Sequence, residues 1–304
     1  MARAVLITNP VAARSTARNL NQAAAVLRRA GITVEIVTTG AHGDARRIAG
    51  EAVAGGIDLV AVHGGDGTSV QAASALVGTD VPLGLLPAGT GNLLAGNLRL
   101  PRSPIEAARI IACGGPRRID LGRVERDNGP VYFAVACGAG IDARVMGRTP
   151  SSEKRRWKIG AYIATALRML PQIRSVPCRI TVDGSVTETN AAMVLVANCG
   201  EVIPPWLRLG PGISPSDGLL DVLAVRADGV LDGLRAVWQA WRSVPREGGR
   251  DSLIGYARGR NITVETQSPE PVEMDGDPDG VTPFTAEVVP GAIAVMTPRN
   301  GRTP

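Results

Sequence analysis

The sequence predicts an α/β plus all-β protein: an N-terminal doubly wound parallel sheet followed by a C-terminal β-sandwich. Three observations predict it. Apolar strand-like runs alternate with helix-like periods through the first third, joined by short connections. After about residue 122 strand-like runs mostly follow one another. The length, 304 residues, suits about two domains. We therefore expect an α/β domain at residues 1–122 and a sandwich at 123–304, with the C-terminal tail packing back on the first domain.

Residues 4–8 form a short apolar run that stops at Asn9-Pro10, the pattern of a buried strand. Residues 15–30 place Leu20, Ala24 and Leu27 at helical spacing, and Gly31 ends that helix. A strand follows at 32–37, then a helix at 44–54 closed by Gly55-Gly56. The strand at 57–62 is apolar on both faces and runs into His63-Gly64-Gly65-Asp66-Gly67-Thr68, with a helix continuing to about Val77. A fourth strand at 81–86 ends in Pro87-Ala88-Gly89-Thr90-Gly91-Asn92. This is a Rossmann-like alternation, and such sheets bind ligands at the carboxyl ends of their strands. Three turns converge on that rim: Asn-Pro, Gly-Gly-Asp-Gly-Thr and Gly-Thr-Gly-Asn.

In the second half, strands are expected at 131–137, 178–183, 186–197, 219–225, 252–258, 261–266, 284–289 and 292–296. Two helices interrupt them. One spans 153–170, with a stripe of Ile159, Tyr162, Ile163, Ala166, Leu167 and Leu170. The other spans 228–242 and carries Leu231, Leu234, Trp238 and Trp241.

Composition narrows the chemistry. Two histidines, His42 and His63, and four separated cysteines without a CxxC pair disfavour a zinc site or a disulfide framework. No charged leader precedes an apolar segment and no run reaches spanning length, so a cytoplasmic location is expected. The net charge of +5 hides an asymmetry: residues 144–179 hold nine basic residues and one acid, Glu153. Such a patch attracts anionic headgroups or phosphorylated substrates. No interleaved aromatics or nucleic-acid motif accompany it, so no nucleic acid partner is expected. The apolar helices read first as core; together with the basic face they also suit peripheral contact with a membrane surface.

Residues 64–68 carry the first chemical signal. Adjacent glycines let a backbone approach phosphate closely, and the N–H groups opening the next helix are anion donors. Asp66 in that loop suits Mg²⁺ or a base rather than a pure phosphate cradle, and a helix cap is its structural alternative. With two histidines in the chain, a base falls to the carboxylates. The Asp275-Gly276 and Asp277-Pro278-Asp279-Gly280 pairs are also ordinary hairpin turns, and Asp217-Gly218 is likewise a turn signal.

Gly-Gly-Asp-Gly-Thr at 64–68, Gly-Thr-Gly-Asn at 89–92 and Asn9-Pro10 resemble the diacylglycerol kinase catalytic-domain family. That family includes bacterial soluble lipid kinases and sphingosine kinases, with NAD kinase more distant. Further segments resemble it in order: 138–143, 154–162, 214–221 and 273–277. The resemblance implies an ATP- and Mg²⁺-dependent lipid kinase acting on diacylglycerol or a related lipid alcohol, with ATP held between the domains. It implies nucleotide contacts from Asn9, Thr39, Gly64, Gly65, Asp66, Gly67, Thr68 and Thr90, with Gly89 and Asn92 in the second loop. It implies Asp275 as general base, with Asp66 as the competing candidate. It also implies a structural Mg²⁺ held by Asp217 and the main-chain carbonyls of Ser214 and Leu219. A homodimer stays open as an assembly. Departures from the family pattern include Val70-Gln71 for Asn-Glu, Leu93-Leu94 for Asp-Phe, and Asp277 for Glu. A soluble-alcohol kinase of NAD-kinase type and a non-catalytic nucleotide- or lipid-binding module are the alternatives.

Overall fold

The computed structural model describes residues 1–140, 174–203, 207–209, 212–229, 232, 235 and 253–299. The helix expected at 153–170, most of that at 228–242, and the motif segments 141–143 and 154–162 lie outside the described residues. The chain divides into two compact units, Met1–Asp120 with Gly291–Pro304, and Leu121–Pro290.

The first unit alternates β1 (Arg3–Thr8), α1 (Ala17–Arg29), β2 (Thr33–Thr38), α2 (Asp44–Ala54), β3 (Leu59–Gly64), α3 (Asp66–Leu76), β4 (Leu83–Pro87), α4 (Leu93–Asn97), α5 (Pro104–Cys113) and the start of β5 (Gly115–Val124). Its strands are parallel in the order β2-β1-β3-β4. Every residue of β3 and β4 is buried, as helices on both faces require. Ala4 and Leu6 of β1 share one core with Ala23, Ala24 and Leu27 of α1 and Ala107, Ala108 and Ile111 of α5. Helices α2 and α3 pack on each other, with α2 also against β1 and α3 against β3. Helix α1 is fastened locally: the Thr16 hydroxyl accepts the Asn19 N–H at 3.2 Å to cap it. The register levels the strand ends, pairing Thr8 with both Thr38 and His63, and Gly64 with Pro87.

The second unit takes the end of β5, then β6 (Val131–Phe133), β7 (Ala136–Gly140), β8 (Val176–Val182), β9 (Ser185–Ala191), β10 (Met193–Ala197), β11 (Glu201–Ile203), β12 (Leu207–Arg208), β13 (Leu220–Val225), β14 (Ile254–Gly259), β15 (Asn261–Thr266), β16 (Pro271–Met274), β17 (Asp277–Val281) and the first part of β18 (Phe284–Thr297). One sheet carries β18-β15-β8-β9 with β5 and β6 beside β18; the other runs β14-β13-β10-β7-β16-β17. The β11–β12 ribbon stands apart. Phe133, Ile180, Val196, Leu220, Val222, Ile262, Val264, Val272, Phe284 and others from both sheets form one core, the interior of an antiparallel sandwich. Full burial of Phe133 stabilises this unit by about 1.5–3 kcal/mol.

Three strand expectations change. The run at 131–137 is two strands, because the backbone at 134–135 leaves the ladder to meet side chains of Asp275 and Asn198. The run at 186–197 also divides. Ala191 pairs with Val176 in one sheet, while the Ala192 N–H donates to Val225 O beside the other. Conversely, 284–289 and 292–296 are one strand. Pro290-Gly291 does not break it, because Gly291 (φ 57°) has its N–H and C=O taken by the side chains of Asp120 and Arg118.

Candidate active site

The carboxyl ends of β1, β3 and β4 carry the first cluster. Gly64 O accepts the N–H groups of Ala88 and Gly89, at 2.8 and 3.1 Å, so the β3 and β4 loops are stitched together at their roots. Their closeness explains the glycine at 89. A Cβ on Gly89 would lie 2.6 Å from the Gly65 Cα, a backbone-to-backbone clash. Gly65 is extended (φ −96°), and a Cβ there would meet the Gly89 Cα at 3.4 Å, an ordinary contact, so the demand for glycine falls on Gly89. Asn92 is left-handed (φ 50°) and closes its own loop. Its Oδ1 accepts the Gly89 N–H and its Nδ2 donates to Gly89 O, both at 2.9 Å.

Asn9 reaches the same cluster. Its Nδ2 donates to the Thr68 Oγ1 at 3.0 Å, its Oδ1 accepts the Val11 N–H, and its own N–H donates to His63 O. The Arg14 N–H donates to Ala88 O at 2.8 Å. Thr39 sits at the end of β2, with its N–H on Thr8 O. Asn9, residues 64–68 and residues 89–92 are therefore joined to one another, and Thr39 is tied to the last residue of β1. Thr90 is half-buried in the second loop.

Asp66 opens α3, and its Oδ1 accepts the Leu94 N–H at 3.2 Å. Burial pushes its carboxyl above the ordinary range, partly offset by the N–H groups of Leu94, Leu93, Asn92 and Asp66 itself. The sign of the linkage follows. The folded state holds this proton to higher pH than the unfolded chain, so stability falls as pH rises from about 3.8 through the folded pKa. Asp66→Asn, which mimics the protonated form, is expected to gain in melting temperature relative to wild type as pH rises from 4 to about 7. Paired thermal melts across that range check this; a pH-independent difference would contradict it.

In the second unit, Asp275 (φ 50°) and Gly276 (φ 90°) form the two-residue left-handed turn between Met274 and Asp277, which pair. The hairpin reading of the sequence holds, and the geometry adds to it. The Asp275 Oδ2 accepts the Ala134 N–H at 2.7 Å, and its Oδ1 accepts those of Val135 and Ala136 at 2.8 and 3.0 Å. The side chain is thus turned inward and fixed. The second Asp-Gly signal, by contrast, is not a turn. Asp279 lies in β17, and its carboxylate takes the Arg126 Nε at 2.8 Å.

Asp217 precedes β13. Its Oδ1 accepts the Leu219 N–H at 3.2 Å and its Oδ2 accepts an Arg258 N–H at 2.7 Å. Ser214 lies nearby in sequence, with its Oγ 3.3 Å from that of Ser216. Asp221 is buried; its Oδ1 takes the Tyr256 hydroxyl and lies 3.4 Å from Arg258 Nε. Burial raises its pKa, and the Asp217 charge adds to that.

Comparison with known proteins now places the chain. Residues 3–124 match the family described as diacylglycerol kinase catalytic domain, and residues 135–297 match the YegS C-terminal NAD kinase beta sandwich-like domain. The chain belongs to the diacylglycerol kinase family. A protein named "Diacylglycerol kinase" from Mycobacterium tuberculosis is 35% identical over 305 residues, spanning 97% of this chain and 95% of that one. The "Probable lipid kinase YegS-like" of Xanthomonas axonopodis pv. citri is 30% identical, covering 92% of each. A crystal structure from Bacillus anthracis str. Sterne superposes with a TM-score of 0.80 at 27% identity, covering 97% of this chain and 96% of that one. The α/β plus sandwich architecture is thus the family's own.

Within this kinase-family frame, three further residues hold segments that carry the candidate site. His63, read as packing, is buried with Nδ1 at 3.2 Å from Thr8 Oγ1 and 3.4 Å from Ser15 Oγ; burial lowers its pKa. Gln71, standing where the family has a carboxylate, accepts the Gly43 N–H and contacts His42, tethering the loop before α2. Asn198 donates to Ala134 O at 2.8 Å, gripping from the other side the segment that Asp275 holds.

Proposed function

We propose that this protein is an ATP- and Mg²⁺-dependent lipid kinase that transfers the γ-phosphate to the hydroxyl of diacylglycerol or a related lipid alcohol. The observation that carries this reading is the glycine-only closure of the 64–68 loop on the 89–92 loop. Their convergence at strand carboxyl ends, beside the first-turn N–H groups of α3, suits a polyphosphate. Asn9, Thr39 and Thr90 would complete the nucleotide contacts. Mg²⁺ would travel with the phosphates, neutralising charge that builds in the transition state, and Asp66 is the carboxylate of this loop suited to hold it. Asp275 is the general base of this reading: a fixed carboxylate needs no reorganisation to take the hydroxyl proton. A second assignment puts Asp66 in that role, favoured by its raised pKa, which improves a proton acceptor at neutral pH.

Among the described residues no helix is long and apolar enough to cross a membrane. The lipid would therefore be met at a surface, and the basic stretch 144–179 supports contact with anionic headgroups. The NAD kinase-like description of the second domain's family favours one alternative, a soluble alcohol acceptor. Labelled ATP with Mg²⁺ is offered in parallel to total membrane lipid extract, purified diacylglycerol and NAD. Label in lipid, and none without Mg²⁺, is the expected result. Label only in NAD establishes the alternative, and label in none of them, with ATP still bound, leaves a binding module.

A further inference from the structure

The family resemblance implies a structural divalent cation held by Asp217 and the carbonyls of Ser214 and Leu219. The donor set here does not fit one. Both Asp217 oxygens are already engaged, Oδ1 by the Leu219 N–H and Oδ2 by the Arg258 guanidinium. Arg258 is the cross-strand partner of Asp221, so β13 and β14 deliver its guanidinium to a point between two carboxylates. Mg²⁺ keeps several waters in its octahedral shell but needs at least one carboxylate open to it, and the one this turn offers is tied to Arg258. The Asp221 Oδ2 lacks a hydrogen-bond partner, but it is buried, and its sister oxygen takes Tyr256 and faces Arg258. A dication arriving at Asp217 would have to displace a guanidinium that is held by both acids.

We propose that Arg258 replaces the structural metal in this chain. A protein-borne cation fastens the turn before β13, so the fold of this region is independent of divalent ions. The planar guanidinium suits the task. It presents separate N–H groups to two carboxylates, here Nη2 to Asp217 and Nε toward Asp221. Any metal the enzyme needs then serves only the nucleotide.

The test is a thermal melt of the full chain without nucleotide or lipid, so it stands apart from the kinase reading. Wild type in EDTA and in excess MgCl₂ is expected to melt at the same temperature. Arg258→Gln is expected to melt several degrees lower in EDTA and to recover part of the loss in MgCl₂, as two uncompensated carboxylates then attract the ion. Arg258→Lys restores charge but not the two-acid fork, and is expected to melt between the two. A wild-type melting temperature that falls in EDTA and returns with Mg²⁺ overturns the proposal without reference to any variant. An Arg258→Gln protein that melts as wild type does, with or without Mg²⁺, overturns it equally.

Discussion

Asp275→Asn is expected to lower kcat by about 10²–10⁴-fold, the span that a positioned general base supplies. Asparagine keeps the size and one acceptor oxygen, so the left-handed turn survives. Its amide NH₂, however, would face backbone N–H groups now held by a carboxylate oxygen: Ala134 on one side, or Val135 and Ala136 on the other. Donor facing donor costs about 1–3 kcal/mol, so the melting temperature falls while the fold persists. The pH profile separates base from strut. If Asp275 takes the proton, the acidic limb of the kcat/KM profile disappears in Asp275→Asn and remains in Asp66→Asn. The reverse pattern assigns the base to Asp66. Near wild-type turnover in Asp275→Asn rejects the role outright.

Gly89→Ala is expected to weaken productive nucleotide binding by roughly 10²-fold. The added methyl meets the Gly65 Cα at 2.6 Å and the Asn92 Oδ1 at 2.9 Å. Neither contact is the tip of a flexible chain: one is backbone, and the other is the oxygen that closes the loop through the Gly89 N–H. The two loops must part, and displacement of about 1 Å at a binding loop costs roughly 10²-fold in efficiency. Overpacking of this kind also costs about 1–3 kcal/mol of stability. Gly50 is the control. It lies in α2, where an added methyl would meet nothing within 4 Å. Gly50→Ala should therefore gain about 0.4–1 kcal/mol and leave ATP binding untouched. Titration of labelled ATP into both variants, with melts alongside, decides it. Equal affinity in the two removes the close-approach argument.

Much of the first unit was legible because its strands are short, apolar and punctuated by glycine. The helix at Asp44–Ala54 matches its expected bounds, since Gly43 and Gly55 flank it. Helix α5, absent from the expected elements, carries a local signature too. Ser103 and Glu106 stand at capping-box spacing around Pro104, and the Ser103 Oγ takes the Glu106 N–H. The second unit was less legible. An antiparallel strand can leave one sheet for another without changing its residue pattern, as at Ala191-Ala192. The hairpin of β16 and β17 hid behind acidic residues, because strand propensity yields to ladder pairing and to the Arg126–Asp279 ion pair.

The candidate site divides in the same way. Glycine spacing, a carboxylate in a loop and Asp-Gly at a hairpin are local signals, and sequence alone determined where they stand and the family to which they point. Which partner each residue meets depends on residues far apart in the chain. Asp275 on residues 134–136, Arg258 on Asp217 and Asp221, and Gly89 on Gly65 are such pairs. Only the tertiary structure decided that Gly89 is needed for closeness rather than for its φ, and that Asp217 already has a cation. The physical reason is that a side chain's chemistry is set by what surrounds it. Local pattern places the residue, but strand pairing and burial choose its surroundings.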